Sequence, residues 1–306
     1  MKTIATIFSG GGGVEVGAIA AGYQPIWGIE KNAAVAEVYR MNLGDHVICE
    51  DAQTVNPSGL DRPDVLWASP ECQFFSVALQ RHSKHQITHN PNLGLCVIPY
   101  LETLKPDTFI LENVRRYQKH ETYTAIVQRL RQLGYWYANF ILNAADFGVP
   151  QDRKRLILIA KRGEMFLSPI QSGCCRSWYN AIIDLLPELP ETVFPPWQHP
   201  ALKKALQRSQ VFMMDGKALR DKVSTHYRLP TTRLSNEPCF TICKWHWKQA
   251  IRVHLNDRAV KLTPRAIARM QSFPDDYRLP NDNKLAIQVI GNAVPPLMVQ
   301  RILEGV

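Results

Sequence analysis

Cys72 stands just past a short apolar run, in Val65-Leu66-Trp67-Ala68-Ser69-Pro70-Glu71-Cys72-Gln73. The apolar residues suit a buried strand, and Pro70 cannot donate to a sheet ladder, so the strand stops and the thiol enters a loop. A cysteine there is either a small buried hydrophobe or a nucleophile, and the company it keeps decides which. Other polar groups also follow apolar runs: Glu30 after residues 24–29, Asp51 after residues 47–49, and Glu112 after residues 108–111. Arg153 and Arg155 come directly before the run 156–160. Thiol, carboxyl and guanidinium groups can supply a nucleophile, a hydrogen-bonding acid and a stabiliser of developing negative charge.

The elements that must position these groups have local signatures. Residues 3–8 form a β-branched run that passes into Ser9-Gly10-Gly11-Gly12-Gly13 and then into a helix over 14–21, closed by Gly22. That is strand, glycine turn, helix; glycines let the backbone approach a ligand, and the helix start offers unpaired N–H groups. Glu30 follows the turn at about the 20-residue interval at which an acidic residue meets ribose hydroxyls in dinucleotide folds. The glycine spacing itself is not G-x-G-x-x-G, which disfavours a nicotinamide enzyme. Helices are expected over 95–104 and 123–133, and strands over 136–143 and 156–160. In such an open α/β sheet, ligands bind at the carboxyl ends of the strands.

From 163 to 260 the texture changes. Prolines interrupt it, four of the seven tryptophans fall there, and 13 Lys and Arg stand against 8 Asp and Glu. Basic residues interleaved with aromatics suit a nucleic-acid surface. The expected organisation is a catalytic and cofactor-binding domain over 1–162, a smaller irregular domain over 163–260, and a segment 261–306 that returns to the first. Thr263 and Pro264 would cap and open a helix in that last segment.

Composition agrees. The 306 residues carry a net charge of +9 with a pI near 9.2, which favours a polyanionic partner. No apolar run approaches the ~20 residues of a membrane span, and no signal-peptide pattern opens the chain, so a cytoplasmic monomer is expected. Seven cysteines without a regular framework suit free thiols in a reducing compartment. Cys239, Cys243 and His246 have no recognised zinc spacing, and no metal is expected.

Together these blocks resemble the cytosine-C5 DNA methyltransferases over nearly the whole chain. Phe8, Gly10, Gly12 and Gly13 match that family's F-x-G-x-G-G opening; Pro70 and Cys72 its cysteine loop; Glu112-Asn113-Val114 its Glu-Asn-Val; Gln151, Arg153 and Arg155 its Gln-x-Arg-x-Arg. Gly291-Asn292-Ala293-Val294-Pro295 is close to its last motif. The resemblance implies a Rossmann-like α/β fold with S-adenosylmethionine as methyl donor and S-adenosylhomocysteine as product. It implies a cofactor site of Phe8, Gly10, Gly12, Gly13, Glu30, Asp51, Pro70, Asn292 and Ala293. Double-stranded DNA is the implied substrate, with Gln73, Ser76, Arg81, Lys84, Gln151, Arg233 and Lys244 as candidate contacts and a restriction endonuclease as possible companion.

The chemistry follows from the base. C5 of cytosine is a poor nucleophile, and a thiolate adding at C6 breaks the conjugation and makes C5 electron-rich. Charge then flows toward N3 and the C2 carbonyl. The resemblance implies Cys72 as nucleophile, Glu112 at N3 and the exocyclic amine, Arg153 on the carbonyl side, and Arg155 as support. The base must leave the stacked duplex first. One departure is Glu71, where most members carry proline; a carboxylate there tends to raise the thiol's pKa unless it is paired. Two other readings stay open: methylation of tRNA, for which Cys239-Phe240-Thr241 is a short cue, and an inactive nucleic-acid-binding homologue.

Overall fold

The computed structural model describes residues 1–70, 92–163, 175–216, 230–248 and 250–306, with the backbone of Leu219–Arg220 and Tyr227–Arg228. The chain forms two compact units. The first comprises Met1–Asn143, Lys154–Gln171 and Met298–Val306; the second comprises Ala144–Arg153 and Ser172–Leu297.

The first unit begins with β1 (Thr3–Ile7), α1 (Gly13–Ala20), β2 (Gln24–Ile29), α2 (Ala33–Leu43), β3 (Val47–Ile48) and β4 (Val65–Ala68). It continues through α3 (Val97–Leu104), β5 (Thr108–Asn113), α4 (Glu121–Gln132), β6 (Tyr135–Asn143) and β7 (Lys154–Arg162). The strands make one sheet in the order β3-β2-β1-β4-β5-β7-β6. Strands β3, β2, β1, β4 and β5 run parallel, while β7 pairs antiparallel with both β5 and β6. The order reverses between β1 and β4, which is where such sheets open a crevice.

All residues of β4 and β5 are buried, as in a sheet covered on both faces. Leu66, Phe109, Leu111, Leu156 and Leu158 pack with Val97, Leu101, Ile126 and Leu130 from α3 and α4. Each such side chain contributes on the order of 2 kcal/mol of burial. Asn32 caps α2 by accepting from the N–H groups of Ala34 and Val35, and Gly44 closes it at φ 95°.

The second unit contains α5 (Trp178–Ile182), α6 (His199–Leu206), β8 (Val211–Met214), β9 (Leu219–Arg220), β10 (Tyr227–Arg228), β11 (Thr232–Leu234), β12 (Arg252–Leu255), β13 (Arg258–Lys261), α7 (Pro264–Met270) and α8 (Asn283–Asn292). Strands β11-β8-β12-β13 form an antiparallel sheet, and β9 pairs with β10. Ala201 and Ala205 of α6 pack on Phe212 and Met214 of β8. Thr263 caps α7 with Pro264 in its first turn, as its sequence predicts. A last helix, α9 (Pro296–Glu304), carries the chain from the second unit into the first. No helix among the described residues is long and apolar enough to cross a membrane.

Within the second unit α8 lies against the turn Lys244–Trp247. A Cβ added to Gly291 would stand 2.5 Å from both the Cys243 carbonyl carbon and the Lys244 nitrogen, backbone atoms that cannot swing aside. Gly291→Ala is therefore expected to lower stability by about 1–3 kcal/mol, read as a lower urea midpoint.

Candidate active site

The polar groups singled out in the first unit gather at one edge of its sheet. Ala68 of β4 pairs with Leu111 of β5, so Glu112 lies one residue beyond that pair and Pro70 two residues past β4. The Asn113 side chain donates from Nδ2 to the Pro70 carbonyl at 3.0 Å, tying the loop that leads to Cys72 to the Glu-Asn-Val strand. Antiparallel pairing sets Glu112 opposite Ile157. Arg155, two residues earlier on β7, shares that face and is a diagonal neighbour of Glu112. Its Nε lies 3.0 Å from Glu112 Oε1, with only 12% and 10% of the two side chains exposed. Arg155 Nη1 also donates to the Lys154 carbonyl at 2.8 Å. A carboxyl and a guanidinium thus stand together in a half-dry place at the strand ends.

Gln151 and Arg153 are placed otherwise. Strand β7 starts only at Lys154, so alternation does not extend back to put Gln151, Arg153 and Arg155 on one face. Arg153 is 2% exposed, and its guanidinium donates to the carbonyls of Ile242 (2.9 Å), Gly291 (3.3 Å) and Ala293 (3.0 Å). Gln151 is fully buried. Its Oε1 accepts from the Ile242 N–H at 3.0 Å, and its Nε2 donates to Gln271 Oε1 at 2.6 Å and to the Met270 carbonyl at 3.3 Å. Gln271 in turn donates to the Ile290 carbonyl at 2.7 Å. Both residues hold the second unit together, and it is the Arg155 guanidinium that pairs with Glu112.

Residues 2–306 match the family described as C-5 cytosine-specific DNA methylase. The chain belongs to that family. It is a DNA cytosine-5 methyltransferase. It is 30% identical to the type II methyltransferase M1.HphI of Haemophilus parahaemolyticus over 99% of this chain and 86% of that protein. It is 26% identical to the type II methyltransferase M.NlaX of Neisseria lactamica over 99% of this chain and 96% of that protein. Among solved structures, a Schizosaccharomyces pombe Dnmt2 methyltransferase shares the fold with TM-score 0.69 at 16% identity, covering 99% and 98% of the two chains. The Entamoeba histolytica methyltransferase EhMeth shares it with TM-score 0.71 at 18% identity, covering 99% and 97%.

Membership of the family implies that the methyltransferase uses S-adenosylmethionine, and the residues after β1, β2 and β3 suit that molecule. The turn after β1 places Phe8, Gly10 and Gly12 at φ 66°, 57° and 85°, conformations that glycine adopts without strain. A Cβ on Gly10 would meet nothing within 4 Å, so the backbone faces open space. Gly12 and Gly13 are buried in the turn and the start of α1. The Gly10 N–H donates to Glu30 Oε2 at 3.1 Å and the Asn32 N–H to Glu30 Oε1 at 2.8 Å, fixing that carboxylate at the end of β2. Asp51 Oδ1 accepts from the Gln53 N–H at 3.0 Å. The next residue, Ala52, lines a cavity of about 370 Å³ with Val55, Leu95, Cys96 and Tyr100. That size lies within the usual range of small-molecule sites. Burial pushes the Cys96 thiol up to about 12, so it stays protonated and apolar in character.

The remaining predicted residues divide between the second unit and the chain outside the described residues. Cys72, Gln73, Ser76, Arg81 and Lys84, with Glu71, lie outside them. Asn292 is exposed at the end of α8, and the Ala293 carbonyl accepts from Arg153. Arg233 pairs with Asp152 at 2.9 Å. Lys244 lies over the Trp245 ring at 5.4 Å, while Lys248 and Lys284 lie over Trp247 at 5.0 and 5.1 Å. His246 accepts from the Cys243 N–H at Nδ1 (3.0 Å) and bonds Asp215 through Nε2 (3.1 Å). Among the described residues no three His, Cys, Asp or Glu side chains could hold a metal ion. Sequence reasoning missed Asn113 as a tie, although its place between Glu112 and Val114 was a usable signal. It also missed Gln271, for which nothing local gave a cue.

Proposed function

We propose that the methyltransferase acts on a cytosine turned out of double-stranded DNA, with Cys72 as nucleophile and Glu112 and Arg155 as the groups that stabilise attack. The observation that carries this reading is the Glu112–Arg155 pair at 3.0 Å, joined through Asn113 to the start of the Cys72 loop. The Cys72 thiolate forms a bond to C6, the C5=C6 π pair shifts to C4–C5, and charge moves toward N3 and the C2 carbonyl. Glu112 hydrogen-bonds N3 and the exocyclic amine, and Arg155 takes the carbonyl side that the resemblance had given to Arg153. S-adenosylmethionine, when bound, supplies an electrophilic methyl group to C5. Solvent acting as base then takes the C5 proton, the C5–H pair re-forms C5=C6, and the Cys72 sulfur leaves C6 as thiolate.

Gly10, Glu30 and Asp51 would hold the methyl donor: the glycine turn lets the backbone close on it, Glu30 meets the ribose hydroxyls, and Asp51 faces the adenine amine. Residues 163–260 would read the bases, a reading supported by the lysines gathered over Trp245 and Trp247. Because its relatives are named as type II methyltransferases, we extend the proposal to a companion restriction endonuclease whose cuts this methylation blocks.

The test is covalent capture on duplex DNA containing 5-fluorocytosine in the methylated site, which has no C5 proton to lose. The site comes from sequencing methylated cytosines in cells expressing the chain. A band stable to denaturation, dependent on S-adenosylmethionine and absent with Cys72→Ala, is expected. Methylation without a trapped adduct would remove the covalent route; methyl transfer to tRNA but not to duplex DNA would remove the substrate.

A further inference from the structure

Glu15 is fully buried on α1, directly behind the glycine turn, and plays no part in the chemistry above. The Thr6 hydroxyl donates to its Oε1, while its Oε2 is buried with no hydrogen-bond partner among the described residues. Thr6 Oγ1 lies 2.6 Å from Ser9 Oγ, and Ser9 is the first residue of the turn Ser9-Gly10-Gly11-Gly12 after Phe8. The Ser9 N–H donates to the Ile29 carbonyl at 2.9 Å, next to Glu30. A line of hydrogen bonds therefore runs from Glu15 on α1 through Thr6 on β1 to Ser9 at the turn.

Gly28 on β2 leaves the room this line occupies. A Cβ there would come within 2.5 Å of Ser9 Oγ, 3.1 Å of Thr6 Oγ1 and 3.3 Å of Glu15 Oε1. The Thr6 hydroxyl that hydrogen-bonds the carboxyl is neutral, and burial pushes the Glu15 pKa up to about 7. A protonated acid is tolerated in such a place at far lower cost than an unpaired carboxylate.

We propose that Glu15 is a positioning residue for the methyl donor: its buried carboxyl, acting through Thr6 and Ser9, sets the shape of the turn whose Gly10 N–H fixes Glu30. This rests on the reading of that turn as the cofactor site. The relay joins α1, which carries Glu15, to β1 through Thr6, so the turn between them keeps its left-handed residues in register with the end of β2. Neither end of the relay touches Glu112 or Arg155 among the described contacts, so its loss acts on the cofactor side.

The experiment is calorimetric binding of S-adenosylmethionine to the wild-type chain, Glu15→Gln, Glu15→Leu and Gly28→Ala, with KM for cofactor, KM for DNA and Tm measured alongside. Glutamine keeps an acceptor for Thr6 and is expected to bind within about threefold of wild type. Leucine and the Gly28 variant are expected to raise Kd and the cofactor KM at least about tenfold while the DNA KM stays constant. A purely structural role would lower Tm and the active fraction and leave both KM values where they were. Equal cofactor affinity in wild type and Glu15→Leu would overturn the proposal while the cofactor reading stands; failure of the wild-type chain to bind would overturn both.

Discussion

Cys72→Ser is expected to lower methyl transfer from labelled S-adenosylmethionine to duplex DNA by at least about 10⁴-fold, with cofactor binding unchanged within about twofold. A serine hydroxyl is nearly isosteric but does not ionise near neutral pH, and its oxygen adds to C6 far less readily than a thiolate. Without that bond C5 stays electron-poor and the methyl group has no acceptor. The groups proposed to hold the cofactor, after β1, β2 and β3, lie elsewhere in the sequence, which is why binding serves as the control. Undiminished turnover in the serine variant would refute the covalent route outright. Glu71 sharpens the point: if its carboxylate were unpaired beside the thiol, Glu71→Pro would raise turnover, whereas a paired Glu71 predicts little gain.

Arg155→Ala and Arg153→Ala are expected to fail in opposite ways. Arg155 pairs with Glu112 at 3.0 Å at the edge where the cytosine would sit. If Arg155 serves the carbonyl side as proposed, its loss should lower kcat about 10²–10³-fold in the fraction that remains folded, with some loss of Tm because Glu112 is left buried without its cation. Arg153 is buried, and its guanidinium serves the carbonyls of Ile242, Gly291 and Ala293. Truncation strands those three acceptors, and about 3 kcal/mol of stability should go with them, read from the denaturant midpoint. At a temperature where Arg153→Ala remains folded, its kcat should fall far less than that of Arg155→Ala. The reverse ranking of the two kcat values would return the carbonyl-side role to Arg153.

Much of the first unit was legible residue by residue. Strands expected over 24–29 and 136–143 and helices over 123–133 and 95–104 reappear within a few residues as β2, β6, α4 and α3. The signals there are local: β-branched or apolar runs bounded by Gly22, Pro70, Pro106 and Gly134. The second unit was legible only as a change in texture, because its strands are two to four residues long and many of its hydrogen bonds are made by buried side chains such as Gln151, Gln271 and Trp178. Short strands leave too few residues for a period of two to stand out.

By itself the sequence determined the order of the parts: glycine turn, acidic residues at strand ends, a cysteine loop, Glu-Asn-Val and a pair of arginines. Those follow from which residues can end a strand or turn tightly, and the match to one family over nearly the whole length follows from them. Only the tertiary structure decided which arginine meets Glu112. Antiparallel pairing of β7 with β5 sets Ile157 opposite Glu112 and brings Arg155 to its side, while Arg153, before the strand begins, is claimed by carbonyls far along the chain. The same holds for Glu15, whose place behind the turn is fixed by its bond to Thr6 on β1. Register and burial arise from pairing between distant segments, and no local spacing encodes them.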